Sequence, residues 1–95
     1  MKKEIMKKKL DNLQNEIRMA KIEADEFTKD YLCNLESKIE EYKNKLDLNE
    51  MESSDGGTLG FRRAILEYDD LANIDSLYET AMDIDKFYSE ECKEW

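Results

Sequence analysis

The chain has 95 residues, enough for one small domain, and carries 24 acidic side chains against 15 basic ones for a net charge of -9, with no His and no Pro. Without histidine there is no Ser-His-Asp or Cys-His nucleophile and no imidazole metal site, so no enzyme activity and no cofactor are expected. The charge argues against direct binding to DNA, RNA or an anionic bilayer, whose phosphates it would repel, and favours a basic protein surface as partner.

From the start of the chain, apolar residues recur at Met6, Leu10, Leu13, Ile17, Ala20, Ala24, Phe27 and Tyr31. The steps alternate between four and three, which is the seam of a coiled coil. An extra four-residue step leads to Leu35 and Ile39 and then to Tyr42 and Leu46, a stutter that unwinds a supercoil without breaking the helix. No Gly or Pro interrupts residues 1–55. The spacing therefore predicts one helix over residues 1–50, and about 45 residues at 1.5 Å each make a rod of roughly 65 Å.

Residues 51–60 read as a loop that reverses the chain, because Ser53-Ser54-Asp55-Gly56-Gly57-Thr58-Leu59-Gly60 holds all three glycines. It lacks the GKS/T signature of a phosphate-binding loop. Phe61, Ile65, Tyr68 and Ala72 then share one face, predicting a short helix over 61–72. A longer acidic helix over 74–94 follows, with Asn73 as its N-cap, Asp75 in its first turn and Ser76 to Glu79 at capping-box spacing. Ile74, Leu77, Ala81, Ile84, Tyr88 and Trp95 form its apolar stripe. The expected fold is a single all-α domain: a long coiled-coil-like helix, a glycine-rich reversal, and a short and a longer helix packing back as a hairpin or bundle. A return path of that length reaches only to about residue 15, which leaves Ile5, Met6, Leu10 and Leu13 uncovered. Self-association through Met6, Leu10, Leu13 and Ile17, giving a homo-oligomer, is the expected remedy, since burying each such side chain contributes about 1.5–3 kcal/mol.

Charge is uneven along the chain: residues 1–50 carry 11 basic and 12 acidic groups, whereas residues 51–95 carry 4 and 12. The candidate partner-binding residues are Asp69, Asp70, Asp75, Glu79, Asp83, Asp85, Glu90 and Glu91, with Tyr78 as an exposed aromatic anchor beside the core stripe. Tyr68 and Tyr88 are assigned to the stripe itself. Between 69 and 94 there are 9 acidic and 2 basic groups. Spread over roughly 39 Å of helix, that is one net charge per about 5.6 Å, against about 3.4 Å per strand in B-DNA.

The remaining features read more plainly. Lys2, Lys3, Lys7, Lys8 and Lys9 are expected to form a solvated face. Arg62 and Arg63, placed where the helix dipole disfavours cations, are expected to pair with carboxylates or a partner. Asp83-Ile84-Asp85 has DxD spacing, but on a helix residues two apart point to different faces, so no metal is expected. Cys33 and Cys92, in no CxxC spacing, are expected to be small reduced core residues. With no long apolar run and no signal peptide pattern, no membrane association and a cytoplasmic location are expected.

The acidic and aromatic run from Glu67 to Glu94, on a short chain rich in Lys, Glu, Asn and Ile, resembles in composition the small inhibitors made by bacterial phages and mobile elements, including anti-CRISPR proteins and other nucleic-acid mimics. The resemblance covers the last third of the chain and extends to no individual residue, since those inhibitors share no single fold. It implies a cytoplasmic non-enzyme that blocks a host nucleic-acid-binding enzyme, such as an RNA-guided nuclease. The rival reading is a structural coiled-coil oligomerisation or assembly module, in which the long first helix acts and the acids only maintain solubility.

Overall fold

An unbroken rod of roughly 65 Å would exceed the longest dimension of the computed structural model, whose extents are 39 × 22 × 16 Å. The structure describes residues 2–48, 50–51, 57 and 59–92, Asp70 among them by its place in a helix alone. Five helices follow in order: α1 (Lys2–Glu23), α2 (Glu26–Asp47), α3 (Phe61–Leu66), α4 (Asp69–Ala72) and α5 (Asp75–Glu91), with no strand among the described residues. The all-α class and the packing back of the second half are as expected. The single helix over 1–50 is not: it is two helices, and the first reversal falls at Ala24 and Asp25 rather than in the glycine loop.

Asp25 is the physical cause. It takes an extended backbone (φ -71°, ψ 171°), and its carboxylate accepts the Thr28 backbone N–H at 2.7 Å, satisfying one of the donors that a helix start leaves unpaired. That bond also holds the Asp25 carboxyl below the usual carboxylate range. Folding at this point brings the two halves of the seam together. Met6, Leu10, Leu13 and Ile17, none more than 1 % exposed, join Leu32, Leu35, Ile39 and Leu46 in one core. The expectation that these four α1 residues form a self-association surface is therefore corrected, because the chain's own helices already cover them.

The antiparallel register is visible in the charges. Lys7 meets Asp47 at 2.7 Å, Lys43 meets Asp11 at 2.5 Å and Lys21 meets Glu36 at 2.6 Å. Inside this hairpin the buried Gln14 donates to Glu40 at 2.5 Å and accepts from Lys43 at 3.2 Å, so its amide is paired at both ends. On the other side of α1 lies α5, also antiparallel: Lys9 pairs with Asp83 at 2.6 Å and the Ser76 hydroxyl donates to Glu16 at 2.9 Å. α3 closes the ring by packing on α5 while reaching α2 through side chains. The Tyr31 hydroxyl donates to the Ala64 carbonyl at 2.6 Å, and Tyr42 meets Phe61 edge-on with centroids 5.9 Å apart.

The expected helix over 61–72 is broken into α3 and α4 at Glu67 and Tyr68. Tyr68 is extended (φ -119°, ψ 117°), with its ring 4.3 Å from that of Tyr31 and 6.4 Å from that of Phe27. Aromatic packing of this kind contributes about 0.5–1.5 kcal/mol per pair beyond area, enough to offset a short helical segment. Asn73 closes α4 instead of capping α5, and Ile74 occupies the cap position of α5 without a side-chain bond. The expected capping box is absent because Ser76 lies inside α5, two residues past the cap position, where its hydroxyl donates to Glu16. Of the expected loop, Glu52 to Gly56 and Thr58 lie outside the described residues, as do Lys93, Glu94 and Trp95.

Candidate protein-binding face

At 100° per residue, Asp75, Glu79, Asp83 and Glu90 fall on one stripe of α5, opposite the buried Leu77, Ala81 and Ile84. All four acids are exposed. Among the described residues Asp75, Glu79 and Glu90 have no ion-pair partner, while Asp83 is paired with Lys9. Lys86 lies on the same stripe and interrupts the run before Glu90. Asp69 is exposed on α4 and Glu91 is exposed at the end of α5, both off the stripe. The side chain of Asp70 lies outside the described residues.

Two of the expected contact residues do something else. Asp85 is 5 % exposed and cannot meet a partner; its two carboxylate oxygens accept the backbone N–H groups of Phe61 at 3.2 Å and Arg62 at 2.9 Å. It caps α3 from across the chain. The cap position of α3 is Gly60, whose φ of 82° suits only glycine without strain and which has no side chain to serve as acceptor. Burial pushes the Asp85 carboxyl above its usual value, opposed by the two N–H bonds and by the charges of Arg62 and Lys38. Tyr78 is likewise not a free anchor: half-buried against the core, its hydroxyl accepts from Arg62 Nε at 2.8 Å, with the guanidinium 5.8 Å from the ring centroid.

The basic residues form their own pattern. Arg62, Arg63 and Lys86 line a cleft of about 480 Å³ between α3 and α5, with Leu66 and Met82 also in its wall. Periodicity gave no sign of it, because these residues come from separate helices. The N-terminal lysines are not simply solvated, since Lys7 and Lys9 each bridge to another helix and Lys9 also lies 5.3 Å from the Phe87 ring. Asp83 and Asp85 leave α5 on different sides, one exposed and one buried. Both cysteines are free: Cys33 is exposed, against expectation, and Cys92 is wholly buried, with burial pushing its thiol to about 11.

No described helix is long and apolar enough to cross a membrane. Comparison with known proteins matched no family model, no curated sequence and no solved structure.

Proposed function

We propose that the protein is a non-enzymatic binding inhibitor that presents the outward stripe of α5 to a Lys- and Arg-lined groove of a nucleic-acid-binding enzyme. The observation that carries this reading is the alignment of Asp75, Glu79 and Glu90 on one outward stripe with no ion-pair partner among the described residues, whereas Asp47, Glu36 and Asp11 in the hairpin are each met by a lysine from the facing helix. These three span residues 75–90, about 22 Å along the helix axis. Like charges at four-residue spacing destabilise a helix, so the arrangement costs stability and calls for a compensating role. The binding set is Asp75, Glu79, Asp83 and Glu90, with Asp69 and Glu91 at its margins. An RNA-guided nuclease is the enzyme class implied by the compositional resemblance. The coiled-coil module reading needs a free seam, and the residues of that seam are the core.

The test uses the full chain and a variant carrying Asp75→Lys, Glu79→Lys and Glu90→Lys as baits in a nuclease-treated bacterial lysate, with retained proteins identified by mass spectrometry. The expected result is a nucleic-acid-binding protein held by the wild type, lost with the variant, and displaced by added duplex DNA or RNA. A partner held equally by both baits, or one that binds nucleic acid and this protein together, would overturn the reading.

A further inference from the structure

Charge complementarity steers encounter and excludes wrong partners more than it adds raw affinity, so a face that holds its partner needs a second element of recognition beside the α5 stripe. A cleft of about 590 Å³ opens where the α1–α2 turn meets the α4–α5 connection. Ala20 and Ala24, too small to fill the space, face Leu71 and Ile74 across it, and Met19, 66 % exposed, stands at the edge. Among the described residues, every ionisable side chain that lines it is acidic: Glu16, Glu23 and Asp25. The cleft adjoins the acidic stripe: Glu16 and Ser76, joined by their hydrogen bond, form the wall it shares with the neighbouring depression that contains Glu79 and Asp83.

An apolar floor under a wholly negative rim fits one chemistry. We propose that this cleft receives a bulky apolar side chain of the partner, set within a Lys- or Arg-rich segment whose cations lie against Glu16, Glu23 and Asp25 and run on to Glu79. The proposal rests on the reading of α5 as a face for a basic protein and deepens it by naming the anchor. Steering then comes from the stripe and residence time from the cleft.

The experiment is a methyl-resolved NMR titration of the full chain with three synthetic peptides: Lys-Lys-Phe-Lys-Lys, the same peptide with Gly for Phe, and Glu-Glu-Phe-Glu-Glu. The Lys–Phe peptide should shift the methyl signals of Ala20, Ala24, Leu71 and Ile74 and bind about tenfold more tightly than the Gly peptide, as burial of one aromatic side chain implies. Ala24→Leu, which fills the floor, should remove that advantage while leaving the Gly peptide unchanged; Met19→Gln, at an exposed edge, should reduce it without risk to folding. Equal binding of the Phe and Gly peptides would overturn the anchor and leave the α5 reading intact. Binding of the Glu–Phe peptide as tight as that of the Lys–Phe peptide would overturn the basic partner. Shifts of the same methyls on raising protein concentration alone would make a second copy the occupant and overturn the proposal as well. Docking of the Lys–Phe peptide that is unchanged by Glu79→Lys would support the cleft while counting against the stripe.

Discussion

The α1–α2 hairpin and α5 each bury one apolar stripe, but they arrange charge in opposite ways. In the hairpin the lysines reach across to the facing helix: Lys7 to Asp47, Lys21 to Glu36, Lys43 to Asp11. Pairs that lie at or near the surface, as these do, contribute only about 0–1 kcal/mol each. Their larger effect is on register, since sliding the helices by one turn would set like charges opposite one another. On α5, among the described residues, the outward acids have the single cross-helix match of Lys9 to Asp83. One region uses charge to define its own fold; the other leaves Asp75, Glu79 and Glu90 without an ion-pair partner among the described residues.

The comparison breaks first if the hairpin core is not a core. Ile17→Asp should lower stability by several kcal/mol, about 3–5, because it buries an unpaired carboxylate at a wholly covered position. Thermal unfolding followed by circular dichroism would measure it. A variant that melts like the wild type but sediments as a smaller species would return Met6, Leu10, Leu13 and Ile17 to the role of an intermolecular seam.

The next largest effect separates Asp85 from the acids of the stripe. Asp85→Ala removes both acceptors from the start of α3 and should cost about 2–3 kcal/mol, combining a lost cap with unpaired backbone donors. Asp85→Asn keeps one acceptor oxygen and should cost about 1 kcal/mol. Urea denaturation of the three proteins would rank them. The pH dependence gives a second readout. Burial raises the folded-state pKa of Asp85, so its favourable contribution is fully present below the unfolded value and is lost as pH rises through the folded one. Asp85→Asn should flatten the stability profile across that window, and a profile identical to the wild type would mean that Asp85 is solvated.

Asp85 also shows where legibility ended. The helical period alone placed Met6, Leu10, Leu13, Ile17, Leu35, Ile39 and Leu46, and after the loop Phe61, Ile65, Leu77, Ala81 and Ile84, and all of these are buried. Buried apolar faces repeat, and repetition can be read. The turn at Ala24 and Asp25 could not be read that way, because the same three-four spacing runs through it to Phe27 and Tyr31. Phe27, assigned to the seam, is 73 % exposed. The local signal was the N-cap preference of Asp25 with Glu26 in the first turn, weaker than a glycine and easily passed over in a charged helix. For Asp85 the signal lay 25 residues away, in a helix starting at Gly60 that has no side chain of its own to cap it. The candidate face was legible as composition only. Which acids point outward depends on packing, and packing turned Asp85 inward, gave Tyr78 to Arg62 and paired Asp83 with Lys9.

The smallest effects test the comparison most directly, since the same kind of substitution should act with opposite sign in the two regions. Lys21→Glu in the hairpin sets a like charge against Glu36, at a site where the two partners are only 27 % and 18 % exposed, and should destabilise by about 1 kcal/mol. Glu79→Lys on α5 instead places a cation four residues from both Asp75 and Asp83, replacing two repulsions with two attractions. It should stabilise the chain by a few tenths of a kcal/mol. Both shifts are salt-dependent and should shrink above physiological ionic strength, where the Debye length falls below about 8 Å. Paired melts at low and high salt would therefore distinguish them from packing effects, which salt leaves in place. If Glu79→Lys stabilises the fold and weakens partner binding together, the stripe is held at a cost in stability for the sake of binding; if it destabilises the fold, Glu79 has an intramolecular partner and belongs with the hairpin's charges.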